Sequence, residues 1–264
     1  MLRAASPSAS TLHATPDSPP VPALRRPVLV GALSFLSGSV PFSGLAARLL
    51  AGVDLRRHGS GTVSGTGLYA VAGFPALAVA GSLDVAKGAV GPLLAGPGRP
   101  RLQAVSGALA VTGHNWSPWL RGAGGRGLSP AIGCLLVTAP EGSACVLAGL
   151  ALGRLARQTA LGTLVAMAVA VPLLARRRGA RGLALAAAAF APILVKRLVG
   201  NHPPEPGAPL GRVLLARLLF DRDELAPATA PATATAPATA TATATAPAMA
   251  TAPATPAGDP ALGA

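Results

Sequence analysis

The sequence predicts an all-α integral membrane protein built as a bundle of about seven transmembrane helices, and three observations carry that prediction. Of 264 residues, 51% are hydrophobic and only 12% charged, too little charge for an ordinary soluble surface. Apolar runs recur along most of the chain. The basic residues fall between these runs instead of along one stripe, as expected for loops beside membrane helices and anionic lipid. The net charge of +13 would also suit nucleic acid, but with two Trp, one Tyr and five Phe the platforms for stacked bases are missing. No nucleic-acid partner is expected; membrane lipids are.

Residues 1–27 are rich in Ser, Pro, Thr and Ala without a periodic apolar face, and they read as a flexible extension. Arg25 and Arg26 then precede an apolar run from Val28 to Leu50, longer than a usual signal core and therefore read as the first membrane helix. Ser39 and Pro41 in GSVPF should break it and free backbone groups toward a cavity. Further apolar stretches cover about 68–95, 102–118, 128–139, 143–156, 159–175 and 182–199. The runs at 128–139 and 143–156 fall short of the roughly 20 residues needed to cross unaided. The turn signal Pro140-Glu141-Gly142 marks them as a connected pair of short helices, or as one interrupted helix of different parity. VLLARLLF, within the segment 200–224, reads as a short amphipathic surface helix. The Ala/Pro/Thr repeat from Leu225 to Ala264 has no means of forming a core. The expected division is thus an extension over 1–27, a membrane domain over 28–224 and a disordered tail over 225–264.

Two loops carry the polar chemistry. DLRRHGSGTVSGTG at 54–67 supplies Arg56, Arg57, His58, Ser60 and Thr62, and GHNWSPWLRGAGGRG at 113–127 supplies His114, Asn115 and Arg126 among glycines. Glycine-lined backbone lets several N–H donors approach an anion, and a guanidinium adds fixed charge, so each loop reads as a phosphate cradle. With the N-terminus outside, seven crossings place both loops on the same inner side. The basic residues divide only twelve to nine between the two sides, a weak bias by itself.

GAGGRG at 122–127 formally fits a dinucleotide-binding or degenerate Walker pattern, but no strand or βαβ unit accompanies it, and both readings are discarded. Asp84 and Lys87 lie three residues apart in an apolar helix, where they can meet on one face and should point inward, pair with each other or with a loop, and support the site. Trp116 and Trp119 suit the membrane interface. Cys134 and Cys145 read as inert packing residues, and neither a metal-ligand cluster, a GxSxG elbow nor a His followed five positions later by Asp is present. Chemistry here must rest on positioning and positive electrostatics.

Taken together, GSVPF at 38–42, GVDLRRHGSG at 52–61, DVAKG at 84–88 and GHNWSPWLRGAGGRG at 113–127 resemble the bacterial acyl-phosphate:glycerol-3-phosphate acyltransferase family of the PlsY type, over roughly residues 29–224. The resemblance implies a multi-pass enzyme of the cytoplasmic (inner) membrane with its loops facing the cytoplasm. It would transfer an acyl group from acyl phosphate to glycerol 3-phosphate, forming lysophosphatidic acid, with no metal, cofactor or CoA donor. It also implies Ser60, His114, Asn115 and Arg126 as catalytic residues, and Arg56, Gly59, Gly61, Gly124, Gly125, Gly127 and Asn201 as substrate-binding residues. The motifs depart from the family pattern in places. GSGTVSGTG stands where GSGNxGATN is usual, and Arg126 replaces the lysine of GGKG. Leu198 and Asn201 stand where His-x-x-Asn is expected, and Ala160 where a serine is. The alternative expectation is a family member that has lost catalysis and binds lipids or a partner protein; a small anion transporter is a third, disfavoured because no inverted repeat is evident.

Overall fold

A computed structural model describes residues 25–58, 61–204 and 206–221. The extension before Arg25, the predicted site residues Gly59 and Ser60, and the Ala/Pro/Thr tail lie outside the described residues. Within them the chain is helical throughout, with no strand.

The first apolar run forms two helices, α1 (Arg25–Ser39) and α2 (Phe42–Ala51). Pro41 lacks the N–H that would continue α1, so the helix stops and restarts there. Arg25 to Pro27, assigned to the extension by composition, instead open α1; a proline is tolerated in the first turn. α3 (Gly65–Ala95) bends at Gly73, leaving residues 74–95, about 33 Å of helix, as the crossing limb. α4 (Pro100–Asn115) follows, then α5 (Leu128–Thr138) and α6 (Pro140–Leu155), joined only by Ala139. The expected turn at 140–142 is therefore the first turn of α6, with Pro140 at a position where its missing N–H has no helical acceptor.

α7 (Thr159–Val199) is one continuous helical run only in name. Gly179 adopts φ 57, ψ −140 inside it, and Arg197 Nη2 donates to Thr163 Oγ1 at 2.7 Å although 34 residues separate them. A straight helix would hold those residues about 51 Å apart. The run therefore doubles back at Gly179 into two limbs of about 30 Å, each long enough to cross hydrocarbon. Arg178 closes the hinge end by donating to both carboxylate oxygens of Glu141, at 2.5 and 2.9 Å, and to the Thr138 carbonyl at 3.0 Å. A last helix, α8 (Leu210–Phe220), covers the predicted amphipathic segment.

Three runs, Arg25–Ala51, Gly65–Ala95 and Thr159–Val199, are long and apolar enough to cross a membrane by length and composition. Counting both limbs of α7, all seven apolar segments of the sequence are helical. Large apolar side chains such as Leu49, Phe74, Leu152 and Leu155 point outward, each at least 65% exposed, as a lipid-facing surface requires. The eleven-residue α5 escapes the length requirement because Pro130 to Leu135 and Thr138 are all buried among other helices.

Close contact between α3 and α5 depends on two glycines. A Cβ at Gly88 would overlap the Pro130 carbonyl, and one at Gly133 the Val85 carbonyl, so these backbones touch directly. Gly133→Val should force the pair apart and lower stability by about 1–3 kcal/mol, seen as a reduced thermal midpoint in detergent. An unchanged midpoint would mean that the crossing tolerates separation.

Candidate active site

The break between α1 and α2 frees the carbonyls of Ser39 and Val40, and the side chains that bind them come from far along the chain. Ser117 Oγ donates to the Ser39 carbonyl at 2.7 Å and Trp119 Nε1 to Ser39 Oγ at 2.8 Å. Lys87 Nζ donates to the Val40 carbonyl at 2.5 Å and pairs with Asp84 at 2.8 Å; Ser43 Oγ donates to the other Asp84 oxygen at 2.7 Å. Lys87 and Asp84 are 4% and 2% exposed, so this is an enclosed pair, and it supports the broken helix.

The first loop is built around Asp54. Its carboxylate caps the 3₁₀ turn Leu55–Arg57 by accepting the Arg56 N–H at 3.1 Å, and it binds the Arg56 side chain at 2.6–3.1 Å and Arg48 at 3.0 Å. The Arg56 hydrogen bond, with Arg48 behind it, holds the Asp54 carboxyl well below the usual carboxylate range. A depressed carboxyl pKa keeps the contribution of this cap in full above the unfolded value near 3.8 and loses it only on further acidification, so the cap stays intact across neutral pH. Arg56 is thus aimed by its own loop. It is about 30% exposed.

In the second loop, α4 ends at Asn115, and the glycines fold back over that end. Gly125 N–H donates to the His114 carbonyl at 3.2 Å. Asn115 is fully buried and donates to the Pro192 carbonyl of α7 at 2.7 Å, which fixes the end of α4. Its direct contact is with α7, so it acts as a fastener at the base of the loop. Gly127 lies against the Asn115 side-chain oxygen and starts α5.

The two loops meet. Val63 N–H donates to the Gly124 carbonyl at 3.3 Å, and Leu55, Val63 and Leu120 share one apolar cluster with α2 and α3 that anchors both. A third segment, at the end of α7, joins them: Asn201 Nδ2 donates to Thr62 Oγ1 at 3.1 Å, and the His202 ring lies against Gly61. Arg126, 8% exposed, pairs through Nε with Asp221 at 2.8 Å and donates from Nη1 to the Lys196 carbonyl at 3.2 Å. Lys196 itself is buried over the Trp116 ring, 5.2 Å from its centroid.

Beneath this junction lies a cavity of about 10 Å³ lined by Ser39, Ser43, Val63, Asp84, His114 and Gly125 among others, with room for about one water molecule. It draws together the GSVPF break, both glycine loops and the DVAKG segment. Of the predicted residues, His114, Gly124 and Gly125 line it, and Arg126, Asn201 and Gly61 lie in the surrounding contact network. Arg56 faces outward on its Asp54 mount. Among the described residues no cluster of His, Cys, Asp and Glu could hold a metal. Sequence reasoning missed Ser43, Lys196, His202 and Asp221. For Asp221 there was a signal, since acidic residues number only nine in the chain.

Known proteins are similar to this chain in sequence and in fold. A relative from Desulforudis audaxviator, a glycerol-3-phosphate acyltransferase, is 44% identical over 91 residues, 34% of this chain and 46% of its own length. The chain thus spans about half the length of that relative. One of the same name from Synechococcus sp. is 35% identical over 171 residues, 64% of this chain and 85% of the relative. The crystal structure of PlsY (YgiH), an integral membrane glycerol 3-phosphate acyltransferase in its glycerol 3-phosphate form, superposes with a TM-score of 0.60 at 25% identity, covering 65% of this chain and 88% of that one. The family described as glycerol-3-phosphate acyltransferase matches residues 28–202, which takes in both glycine loops, the α1–α2 break and the third segment. The chain belongs to the glycerol-3-phosphate acyltransferase family of integral membrane enzymes.

Proposed function

We propose that this acyltransferase uses acyl phosphate as its donor and that the joined loops bind the phosphates of both reactants. The 1-hydroxyl oxygen of glycerol 3-phosphate attacks the acyl carbonyl carbon, and the bond from that carbon to the phosphate oxygen breaks. Lysophosphatidic acid and inorganic phosphate leave, and the hydroxyl proton passes to a substrate phosphate. No dedicated basic side chain is needed, because the proton acceptor arrives with the substrate.

In this reading Arg126, Arg56 and the N–H groups around Gly61 and Gly124–Gly125 hold phosphate, with Ser60 contributing its hydroxyl. Donors already fixed in place also stabilise negative charge on the attacked carbonyl without reorganising. His114 and Asn115 shape the second loop from below. The observation that carries the proposal is the Val63–Gly124 hydrogen bond, which unites two anion-binding loops into a single site above the broken first helix. The site faces the cytoplasm of a cell whose inner membrane holds the protein.

The test is acyl transfer by the purified protein in detergent with acyl phosphate and glycerol 3-phosphate. Wild type should turn over, and Arg126→Ala and Ser60→Ala should each lower kcat/KM by about ten- to a hundredfold, the loss of one charged or well-placed hydrogen bond. A folded wild type without turnover overturns the proposal and favours a purely lipid-binding relative. Labelling of single cysteines at His58 and Arg121 should occur from the same side of sealed vesicles; opposite sides would separate the loops.

A further inference from the structure

The family match ends at residue 202, and α8 lies beyond it. This helix is locked to the site by two buried guanidiniums. Arg217, 4% exposed, donates to the carbonyls of Leu198 at 3.1 Å, Val199 at 2.8 Å and His202 at 2.6 Å. The first two belong to the last turn of α7, where carbonyls have no partner within the helix. In the other direction Arg197, also 4% exposed, donates to the Leu218 carbonyl near the end of α8 at 3.2 Å and to the Ala160 carbonyl at 3.1 Å. The ends of α7 and α8 are therefore held to each other from both sides.

Asp221 caps the helix so fixed. Its left-handed conformation, φ 54 and ψ 36, is one that Asp adopts more readily than most residues, and its N–H bonds back to the Arg217 carbonyl at 3.1 Å. This turns the carboxylate onto Arg126 Nε at 2.8 Å, while Arg126 Nη1 is held by the Lys196 carbonyl at 3.2 Å. Contacts at Nε and Nη1 fix the plane of a guanidinium, which a single contact would leave free to turn.

We infer that Asp221 is a positioning residue that sets the plane of Arg126 for the phosphate of glycerol 3-phosphate. The inference rests on the reading that Arg126 holds substrate phosphate. An arginine oriented in advance binds a phosphate fork with less loss of side-chain freedom. The opposite possibility, that Asp221 competes with phosphate for Arg126, predicts the reverse change in KM.

The experiment compares full-length wild type with Asp221→Asn, Asp221→Ala and Asp221→Glu, reading kcat and KM for glycerol 3-phosphate together with the thermal shift that glycerol 3-phosphate produces. Asp221→Asn and Asp221→Ala should raise KM by about five- to tenfold with kcat within about twofold, the pattern of lost binding common to ground and transition state. The thermal shift should shrink in parallel. Asp221→Glu should restore most of the affinity, and Asp221→Asn should have no further effect on KM in an Arg126→Ala background, because the two residues act as one unit. An unchanged or lowered KM in Asp221→Asn overturns the inference while leaving wild-type turnover, and so the proposed function, intact. A wild type that neither turns over nor is stabilised by glycerol 3-phosphate overturns both. Asp221→Asn keeps the size of the side chain, so the test stands even where Asp221→Ala fails to fold.

Discussion

Lys87→Ala should both destabilise the protein, by about 3–5 kcal/mol, and abolish acyl transfer. The ammonium is enclosed, pairs with Asp84 at 2.8 Å and holds the Val40 carbonyl at 2.5 Å. Without it, a carboxylate and a freed carbonyl remain inside a helical bundle with only the Ser43 hydroxyl on the carboxylate. An uncompensated buried charge is among the few single changes that large. The check is thermal unfolding in detergent of wild type, Lys87→Ala and the double variant Asp84→Leu/Lys87→Met. Replacing both charges with apolar groups of similar size should recover most of the lost stability, since a buried pair contributes little against a well-packed apolar substitute. It should not recover activity, because the Val40 carbonyl keeps only the local Phe42 N–H at 3.2 Å and the helix break loses the tie to α3 that fixes its geometry. If Lys87→Ala unfolds at the wild-type midpoint, the pair does not support the break.

Gly124→Ala is expected to leave the bundle folded and lower kcat/KM by two to three orders of magnitude. A Cβ there would overlap the carbonyl oxygens of His114 and Asn115, both backbone atoms at the end of α4. That end has little room to yield, being held through Asn115 to the Pro192 carbonyl at 2.7 Å. The glycine loop has to lift instead, and the Val63 N–H loses the Gly124 carbonyl that joins the loops. A displacement of about 1 Å between reacting partners is enough for a hundredfold loss. Stability should fall by no more than about 1–3 kcal/mol, the usual range for overpacking. Gly98→Ala serves as the control, since a Cβ there meets nothing within 4 Å. Kinetics and unfolding measured on the same preparations separate the two effects, and near-normal activity in Gly124→Ala would show that the loops act independently.

Hydropathy alone located every apolar segment, and the short motifs located both loops, because spacing and residue type are local properties. The errors arose where distant partners decide. Composition marks Arg176–Arg181 as a loop, yet helix runs up to Gly179 and resumes after it. Arg178 finds Glu141, and Arg181 donates to the Gln103 side chain at 3.1 Å, partners that no window of sequence contains. The segment 213–220 reads as a surface helix from its pattern, but its Arg217 is buried on the end of α7. Arg126 reads as a charge for phosphate, but that folding also sets the Asp221 carboxylate beside it is visible in no window of sequence. The pairing of Asp84 with Lys87 was legible because three residues on a helix share a face. That the pair sustains the break at Pro41 was not, since Val40 lies 47 residues away.

The seclusion of α5 bears on how the enzyme meets its membrane. This helix begins directly after the second glycine loop, and its buried faces touch protein on most sides. Its depth is therefore set by neighbouring helices instead of by the length of surrounding acyl chains. Thickening or thinning of the bilayer is met first by the long outer limbs, through tilt and through their exposed leucines. The height of the second glycine loop is therefore fixed by the polypeptide, and under the proposed function a cell that remodels its lipids need not retune the protein.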